Sequence, residues 1–587
     1  MASVMASATR SQRRADLISS PYRTVVMPGP GPGDDRRDLR ALVASGLFGS
    51  YVSYECPGRR WFAGNVLAEL IMTETAISWR IVDDDWVSAP VGRRPLRQLG
   101  DVARALPLRD YRLFGYLAFE LGRLADADLA DDGLPDADLA TAGSPATLAH
   151  LMVPQVELEW SADGTVIRAV DDLMTERILD LLLAPRAAAG GAPTAVDLTP
   201  AGDRRAYEAA VAAVVDDIRG GLLHKAIISR QIDVPFPVDL PASYLLGLED
   251  QMPARSFLLD LGGRRCAGFS PETVVEVGPD GEVRTQPLAG TRPLRRDRDE
   301  DRRLREELEW DVKECYEHVI SVRLAATEMA VVCDPATVAV RGLLDVKERG
   351  TVQHLGSAVT GSLRPGLDSW DAVEALFPAV TASGIPKRDA LRLIAAMESS
   401  PRQLYAGMVG IAGSDGFFDG AVVLRSIFQD ESGTWLRAGA GIVADSDPAS
   451  EYEETTSKLR SAAGCLVAAL ADGRPPGVTR NDARSESMPD AGEPQPVGPG
   501  PAEVTADVVG DALHEALANL GVAEETIVPA ASLRDDLELD SIDIVQVEQD
   551  LTKKLGVRVE FGGHADLTVS TARERVLGLL GSVDTRP

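Results

Sequence analysis

Residues 472–502, "DGRPPGVTRNDARSESMPDAGEPQPVGPGPA", cannot join a packed core, because Pro, Gly and polar residues dominate and no apolar period survives. This stretch limits the fold more than any other: it reads as a flexible linker, so whatever folds must do so on either side of it. Upstream lies one large region, residues 41–471, and downstream a small one, residues 503–584. The first 40 residues open "MASVMASATRSQRRADLISS", lack the continuous apolar run of a secretory signal, and are expected to form a disordered tail of a cytoplasmic protein.

Within the large region strand-like and helical patterns are mixed. "LFGYLAFELG" (113–122), "AIISRQIDVPF" (226–236), "RSFLLDLGG" (255–263), "TVVEVG" (273–278), "GMVGIAG" (407–413) and "WLRAGAGIVA" (435–444) read as strands bounded by Gly and Pro. Residues 204–221, 308–332 and 449–470 read as amphipathic helices. Groups of strands with helices interspersed predict an α+β domain rather than a regular parallel βαβ repeat.

A net charge of −30 argues against nucleic acid and anionic membrane surfaces as partners, and no run of apolar residues is long enough to span a membrane. Five cysteines lie far apart without paired spacing, which predicts buried reduced thiols rather than a disulfide frame or a zinc site. Any metal would then be held by oxygen. Two segments could do so. In "DVKECYEHVISVR" Glu314 and Glu317 are three apart, and in "EYEETTSKLR" Glu451 and Glu454 repeat that spacing, with Lys458 one turn on. Residues three apart share a helix face. Such pairs are ordinary solvated surface, or carboxylates for a hard cation such as magnesium; spacing alone leaves both open.

A wider string of motifs bears on that choice: "HKAIISR" (224–230), "GFSPET" (268–273), "TQPLAGTRP" (285–293), "KECYEH" (313–318), "VQHLGS" (352–357), "FPAVTASGIPK" (377–387), "LYAGMVG" (404–410), "FDGAVVLRS" (418–426), "LRAGAGIV" (436–443) and "EYEETTSK" (451–458). In this order they resemble the chorismate-utilising enzymes: isochorismate, salicylate, anthranilate and aminodeoxychorismate synthases. "TASGIPK" and "HKAIISR" look most like siderophore-type salicylate synthases, while Gln286 stands where an acidic residue is expected in them. The resemblance implies a single large α/β chorismate-binding domain of two packed β-sheets flanked by helices.

It also implies roles. Lys225 matches the general base that activates water, and Glu272 the general acid that protonates the departing hydroxyl. Glu317 and Glu454 match the magnesium ligands, with Glu314 and Glu451 assisting; the Mg2+ would clamp the ring carboxylate of chorismate. Tyr405 and Arg425 match the residues that hold the enolpyruvyl carboxylate, for which a guanidinium fork suits bidentate binding. Gly290, Thr291, His354, Thr381, Gly439, Gly441 and Lys458 match positions around the ring and the substrate carboxylate. A lysine at 225, and no glutaminase domain in the chain, point to water rather than ammonia as nucleophile. The expected activity is conversion of chorismate to isochorismate and then to salicylate plus pyruvate. Stopping at isochorismate, an aminodeoxy product, and an inactive domain kept as a scaffold are the alternatives.

Residues 503–584 are acidic, and "LELDSIDIVQVEQDL" resembles the phosphopantetheine site of acyl or peptidyl carrier proteins, which implies a small all-α four-helix domain. Ser541 would carry 4'-phosphopantetheine at a helix start, where free N–H groups favour a phosphate ester; the bland reading is a helix cap. Asp540, Asp543 and Glu548 would offer an acidic docking face. The implied partners are a phosphopantetheinyl transferase, an adenylating enzyme and an assembly-line synthase.

Overall fold

The computed structural model describes residues 22–27, 34–125, 146–184, 198, 204–295, 297–350, 352–469, 506–520, 522–537, 539, 541–555, 557, 559, 561 and 567–583. The linker expected at 472–502 lies outside them. Chain contacts divide the molecule into two compact units, residues 1–309 with 320–469, and residues 310–319 with 470–587.

In the large unit the described strands join one hydrogen-bonded network in which every pairing is antiparallel. In place of the two packed sheets expected, the strands form one sheet whose two arms diverge from the strand Ala149–Ser161. On one edge this strand pairs with Arg59–Met72; on the other it pairs with Arg112–Leu117 near its start and Gly164–Ala169 near its end. From Arg59–Met72 one arm runs through Tyr51–Cys56, Arg255–Leu261, Arg264–Ser270, Ser426–Asp430 and Gly433–Ile442 to Lys225–Val234. From Arg112–Leu117 the other runs through Met408–Gly413, Phe418–Val422, Thr273–Val277 and Glu282–Thr285 to Val352–Ser362. A register shift between Val66 and Ala68 in the 14-residue strand Arg59–Met72 marks where the ladder bends.

Helices cover the second arm's partner. Leu42, Phe62, Leu158, Ile178, Tyr244, Phe269, Leu436, Leu459 and Leu466 form one buried cluster that ties helices Asp34–Ala44, Asp172–Leu183, Leu240–Asp250 and Pro448–Ala463 to strands.

Several expected boundaries move for local reasons. The tail expected to be disordered over 1–40 holds a strand, Arg23–Met27, paired with Gly164–Ala169, and the start of helix Asp34–Ala44; residues 1–21 and 28–33 lie outside the description. The strand expected over 113–122 ends at Leu117, because the next residues turn: Phe119 N–H donates to Gln403 O (2.8 Å) and a short helix starts at Leu121. The single helix expected over 308–332 is two, Arg298–Trp310 and Val312–Val332, broken at Asp311, whose carboxylate accepts from Glu314 N–H (3.1 Å). The helix expected to reach residue 470 ends at Ala463, and after Gly464 the chain extends to pair Ala468 with Val238.

The C-terminal helices Ala506–Asn519, Ser541–Leu555 and Val569–Val583, with a 3-10 turn at Glu524–Thr526, enclose their own core of Val509, Leu513, Leu517, Val547, Leu551, Phe561, Leu567 and Val576. Of the four helices expected, three lie among the described residues; residues 562–566, between the last two, lie outside them. Ser541 begins its helix, as the sequence predicts. The acidic-face expectation is corrected at Asp543, which is buried; Glu548 is half-buried with its carboxylate accepting the Phe561 N–H, and Asp540 lies outside the described residues.

No disulfide joins the five cysteines; four are buried and Cys56 is half-buried. No described helix is long and apolar enough to cross a membrane.

Candidate active site

The strand Lys225–Val234 is buried along its first six residues and only then alternates, so Lys225 enters the core rather than solvent. Its side chain is fully buried, and Nζ donates to Ser321 Oγ at 3.0 Å. Glu272 sits in the turn before Thr273–Val277, after Pro271, and is 2% exposed. One carboxylate oxygen accepts the Thr381 hydroxyl and the other the Leu288 N–H at 2.7 Å. Burial raises this carboxyl from an ordinary 4.5 to about 7, against the opposing pull of those hydrogen bonds and of the Lys225 and Arg425 charges. It is therefore part-protonated at neutral pH, the state a general acid needs. Glu272, Thr381, Gln286 and Glu328 line one water-sized cavity of about 10 Å³. Gln286 Nε2 donates to Glu276 (3.2 Å) there, in place of the acidic residue expected at 286.

On the facing side, Gly290 takes φ +73°, a left-handed conformation that glycine adopts at little cost, and shifts the register of Leu288–Pro293 against Val352–Ser362. The shift brings His354 Nδ1 to 3.1 Å from Gly290 O and 3.0 Å from Thr291 Oγ1. The Nδ1–H therefore points at these acceptors, and Nε2 accepts from Arg425 Nη2. Burial and the Arg425 charge hold His354 well below the usual imidazole range, so it is neutral. Arg425, itself at φ +49°, is pushed down to about 10 by burial and by Arg349, and stays charged at neutral pH. Among the described residues no carboxylate pairs with it. A buried guanidinium whose partner is a neutral imidazole is poised for an anion from outside the chain.

Tyr405 is buried, and burial raises its phenol. A Cβ on Gly439 would lie 3.0 Å from the Tyr405 hydroxyl and 2.9 Å from Ile228 O, so only glycine fits. Gly439 faces Ser229 and Gly441 faces Ile227 on the base strand. Lys458 Nζ donates to Gly439 O (3.0 Å) and pairs with Glu454 (2.7 Å). The structure thus brings Lys225, Glu272, Thr381, Gly290, Thr291, His354, Arg425, Tyr405, Gly439, Gly441, Lys458 and Glu454 into one neighbourhood of the large unit, hydrogen-bonded in smaller groups that act on one another through the charges of Lys225, Glu272, Arg425 and Lys458.

The carboxylates expected to hold magnesium are placed on helices as predicted. Glu451 opens the helix Pro448–Ala463, capped by Asp447, and is 1% exposed, with Glu454 one turn on. Glu314 and Glu317 share a face of the first turns of Val312–Val332, and Glu317 is buried. Carboxylates are the donors a hard divalent cation takes, so these residue types fit the group chemically, Glu317 and Glu451 being buried and Glu314 and Glu454 half-buried. Among the described residues no three His, Cys, Asp or Glu side chains are already gathered as a metal cluster.

Residues 67–464 match the model of the chorismate binding enzymes. The chain belongs to that family. This chorismate-binding enzyme is 38% identical over 444 residues to a salicylate synthase of Mycolicibacterium paratuberculosis, covering 74% of this chain and 94% of that one. It is also 30% identical over 509 residues to an anthranilate synthase component 1 of Mycobacterium bovis, covering 79% and 96%. Among solved structures it resembles anthranilate synthase component I of Streptococcus pneumoniae, at 25% identity with a TM-score of 0.56 over 69% of this chain and 92% of that one. The menaquinone-specific isochorismate synthase of Escherichia coli shares the fold, with a TM-score of 0.56 at 21% identity over 76% and 95%.

Sequence reasoning missed the residues that hold this site together: Ser321, Arg349, Glu398, Arg402 and Arg437. Arg402 sits two residues before the "LYAGMVG" motif, but nothing in its spacing tells that its side chain reaches the strand at 225.

Proposed function

We propose that residues 41–471 convert chorismate to isochorismate and on to salicylate plus pyruvate, with a magnesium requirement. The carrying observation is a buried glutamic acid raised to about 7 within the electrostatic reach of a buried lysine and of a buried arginine that forms no ion pair with a described carboxylate. Arg425 and Tyr405 would hold the enolpyruvyl carboxylate. Lys225 takes a proton from water as its oxygen bonds to C2, the ring double bond shifts, and Glu272 gives its proton to the C4 hydroxyl, which leaves as water; one water enters and one leaves. Glu317 and Glu454, assisted by Glu314 and Glu451, would hold Mg2+, which supplies charge neutralisation at the ring carboxylate. Pyruvate loss then transfers the C2 hydrogen to the side-chain methylene as the ether C–O bond breaks, a step that asks the pocket for pose rather than for another acid or base. Identity to the salicylate synthase across 94% of its length supports this product.

The second reading stops at isochorismate. It is favoured by Gln286 beside Glu272, where an acidic residue was expected. An aminodeoxy-type or anthranilate-type product is the reading the anthranilate synthase relatives support, and added ammonium tests it.

The C-terminal unit is proposed to be a carrier protein bearing 4'-phosphopantetheine on Ser541, supported by the helix start at that residue and the separate core. Its partners would be a phosphopantetheinyl transferase, an adenylating enzyme and an assembly-line synthase, in siderophore or similar biosynthesis in the cytoplasm. The deciding experiment is mass spectrometry of products from chorismate with Mg2+ and with EDTA. Salicylate and pyruvate, lost with EDTA, are expected; isochorismate alone selects the second reading, and unchanged chorismate rejects both.

A further inference from the structure

Behind the acid and the base lies a second, separate arrangement. Arg402 is 3% exposed and directs its guanidinium in three directions. Nη1 donates to Ala382 O at 2.8 Å, Nη2 to Ile227 O at 2.6 Å, and Nε and Nη2 grip the two oxygens of Glu398 at 2.9 and 2.6 Å. Ala382 follows Thr381, the donor to Glu272; Ile227 lies two residues beyond Lys225 on the same strand. Glu398 in turn accepts from Ser229 N–H and Oγ, both at 2.8 Å, and from Arg437 Nη2 at 2.5 Å.

We propose that Arg402, anchored by Glu398, is a positioning residue that fixes the spacing between the strand bearing the base and the loop that orients the acid. The inference rests on the proposed acid and base roles. Only a planar fork reaches two carbonyls and a carboxylate at once; a lysine ammonium at 402 cannot span both Ala382 and Ile227 in that geometry. The coupling has a direction. The Thr381 hydroxyl lowers the Glu272 carboxyl, so a loop freed from Arg402 loosens that bond and lets the carboxyl rise. Arg402 and Glu398 also line a cavity of about 320 Å³ with Phe119, Leu391 and Ile394, which gives a small cation a route to the place of the guanidinium.

The test uses the full-length protein with chorismate and Mg2+, comparing wild type, Arg402→Lys, Arg402→Ala and Glu398→Gln. For Arg402→Lys, kcat is expected to fall by about a hundredfold with a much smaller change in KM, since misplacement of about 1 Å costs that much. The alkaline limb of its kcat–pH profile should move upward. Methylguanidinium at millimolar concentration should restore kcat of Arg402→Ala and leave the wild type unchanged. Should Arg402→Ala fail to fold, Glu398→Gln keeps the shape and is expected to show the same upward shift. Unchanged kcat and pH profile in Arg402→Lys and Glu398→Gln, beside an active wild type, overturn the inference. Loss of thermal stability with an unmoved pH profile overturns it too. A wild type that consumes no chorismate overturns the functional reading, and this inference with it.

Discussion

At the residue scale the site is governed by what burial does to single charges. Glu272 is the clearest case. Its carboxyl is raised from 4.5 to about 7, so the native state binds more protons than the unfolded chain between those pH values. Stability therefore falls as pH rises from about 4.5 to about 7 and levels off above, by up to about 3 kcal/mol for this group. Denaturation curves of Glu272→Gln against wild type across pH 4–8 should show that slope flattened in the variant. Activity runs the same way, because the acid must be protonated: kcat is expected to drop as pH rises through about 7. Glu272→Gln should lose roughly 10²–10⁴ in kcat, measured as chorismate consumption. Lys225→Met separates the two steps. It should no longer convert chorismate, yet still release pyruvate from supplied isochorismate, since the elimination takes no base; loss of both would mean that Lys225 also holds the substrate. The sequence named both residues from their motifs. It did not reveal that Glu272 is bonded to Thr381 and Leu288, because those partners lie far along the chain.

At the element scale, two antiparallel strands set the floor of the site. Gly433–Ile442 and Lys225–Val234 pair residue by residue, placing Gly439 and Gly441 opposite Ser229 and Ile227. A side chain at 439 would drive into Ile228 O and the Tyr405 hydroxyl. Gly439→Ala is therefore expected to raise KM for chorismate about tenfold or more by displacing Tyr405, with little loss of Tm if the strand pair holds; steady-state kinetics and thermal melts check both. The helix pattern at 449–458 was readable from its period, and Asp447 caps it where the sequence predicts a start. The break at Asp311 was not, because the apolar period continues through it and only the side-chain cap onto Glu314 ends the first helix.

At the scale of the whole molecule the chain is two units with separate cores. A protein ending at residue 471 is expected to keep chorismate turnover, since every residue proposed for catalysis and substrate binding lies upstream. The Ser541→Ala variant should keep turnover too, while losing the mass gain of one phosphopantetheinyl group after treatment with a phosphopantetheinyl transferase and coenzyme A. An unchanged mass in the wild type would reject the carrier reading. EDTA should abolish turnover in all of these forms and Mg2+ restore it.

Local pattern determined much of this protein. The Pro/Gly stretch predicted a division and the alternation and glycines predicted most strands, because these depend on residue type and short spacing; the family resemblance of the ordered motifs pointed to Lys225, Glu272 and Arg425 for the proposed base, acid and carboxylate clamp. Tertiary structure alone decided the rest. That Arg425 rests on a neutral His354, that Thr381 holds Glu272, and that Arg402 bridges Ala382 to Ile227 follows from the folded chain bringing residues 20 to 175 positions apart into hydrogen-bond range. Burial, which turns an ordinary glutamate into an acid near neutrality, is likewise a property of the packed whole and of no single motif.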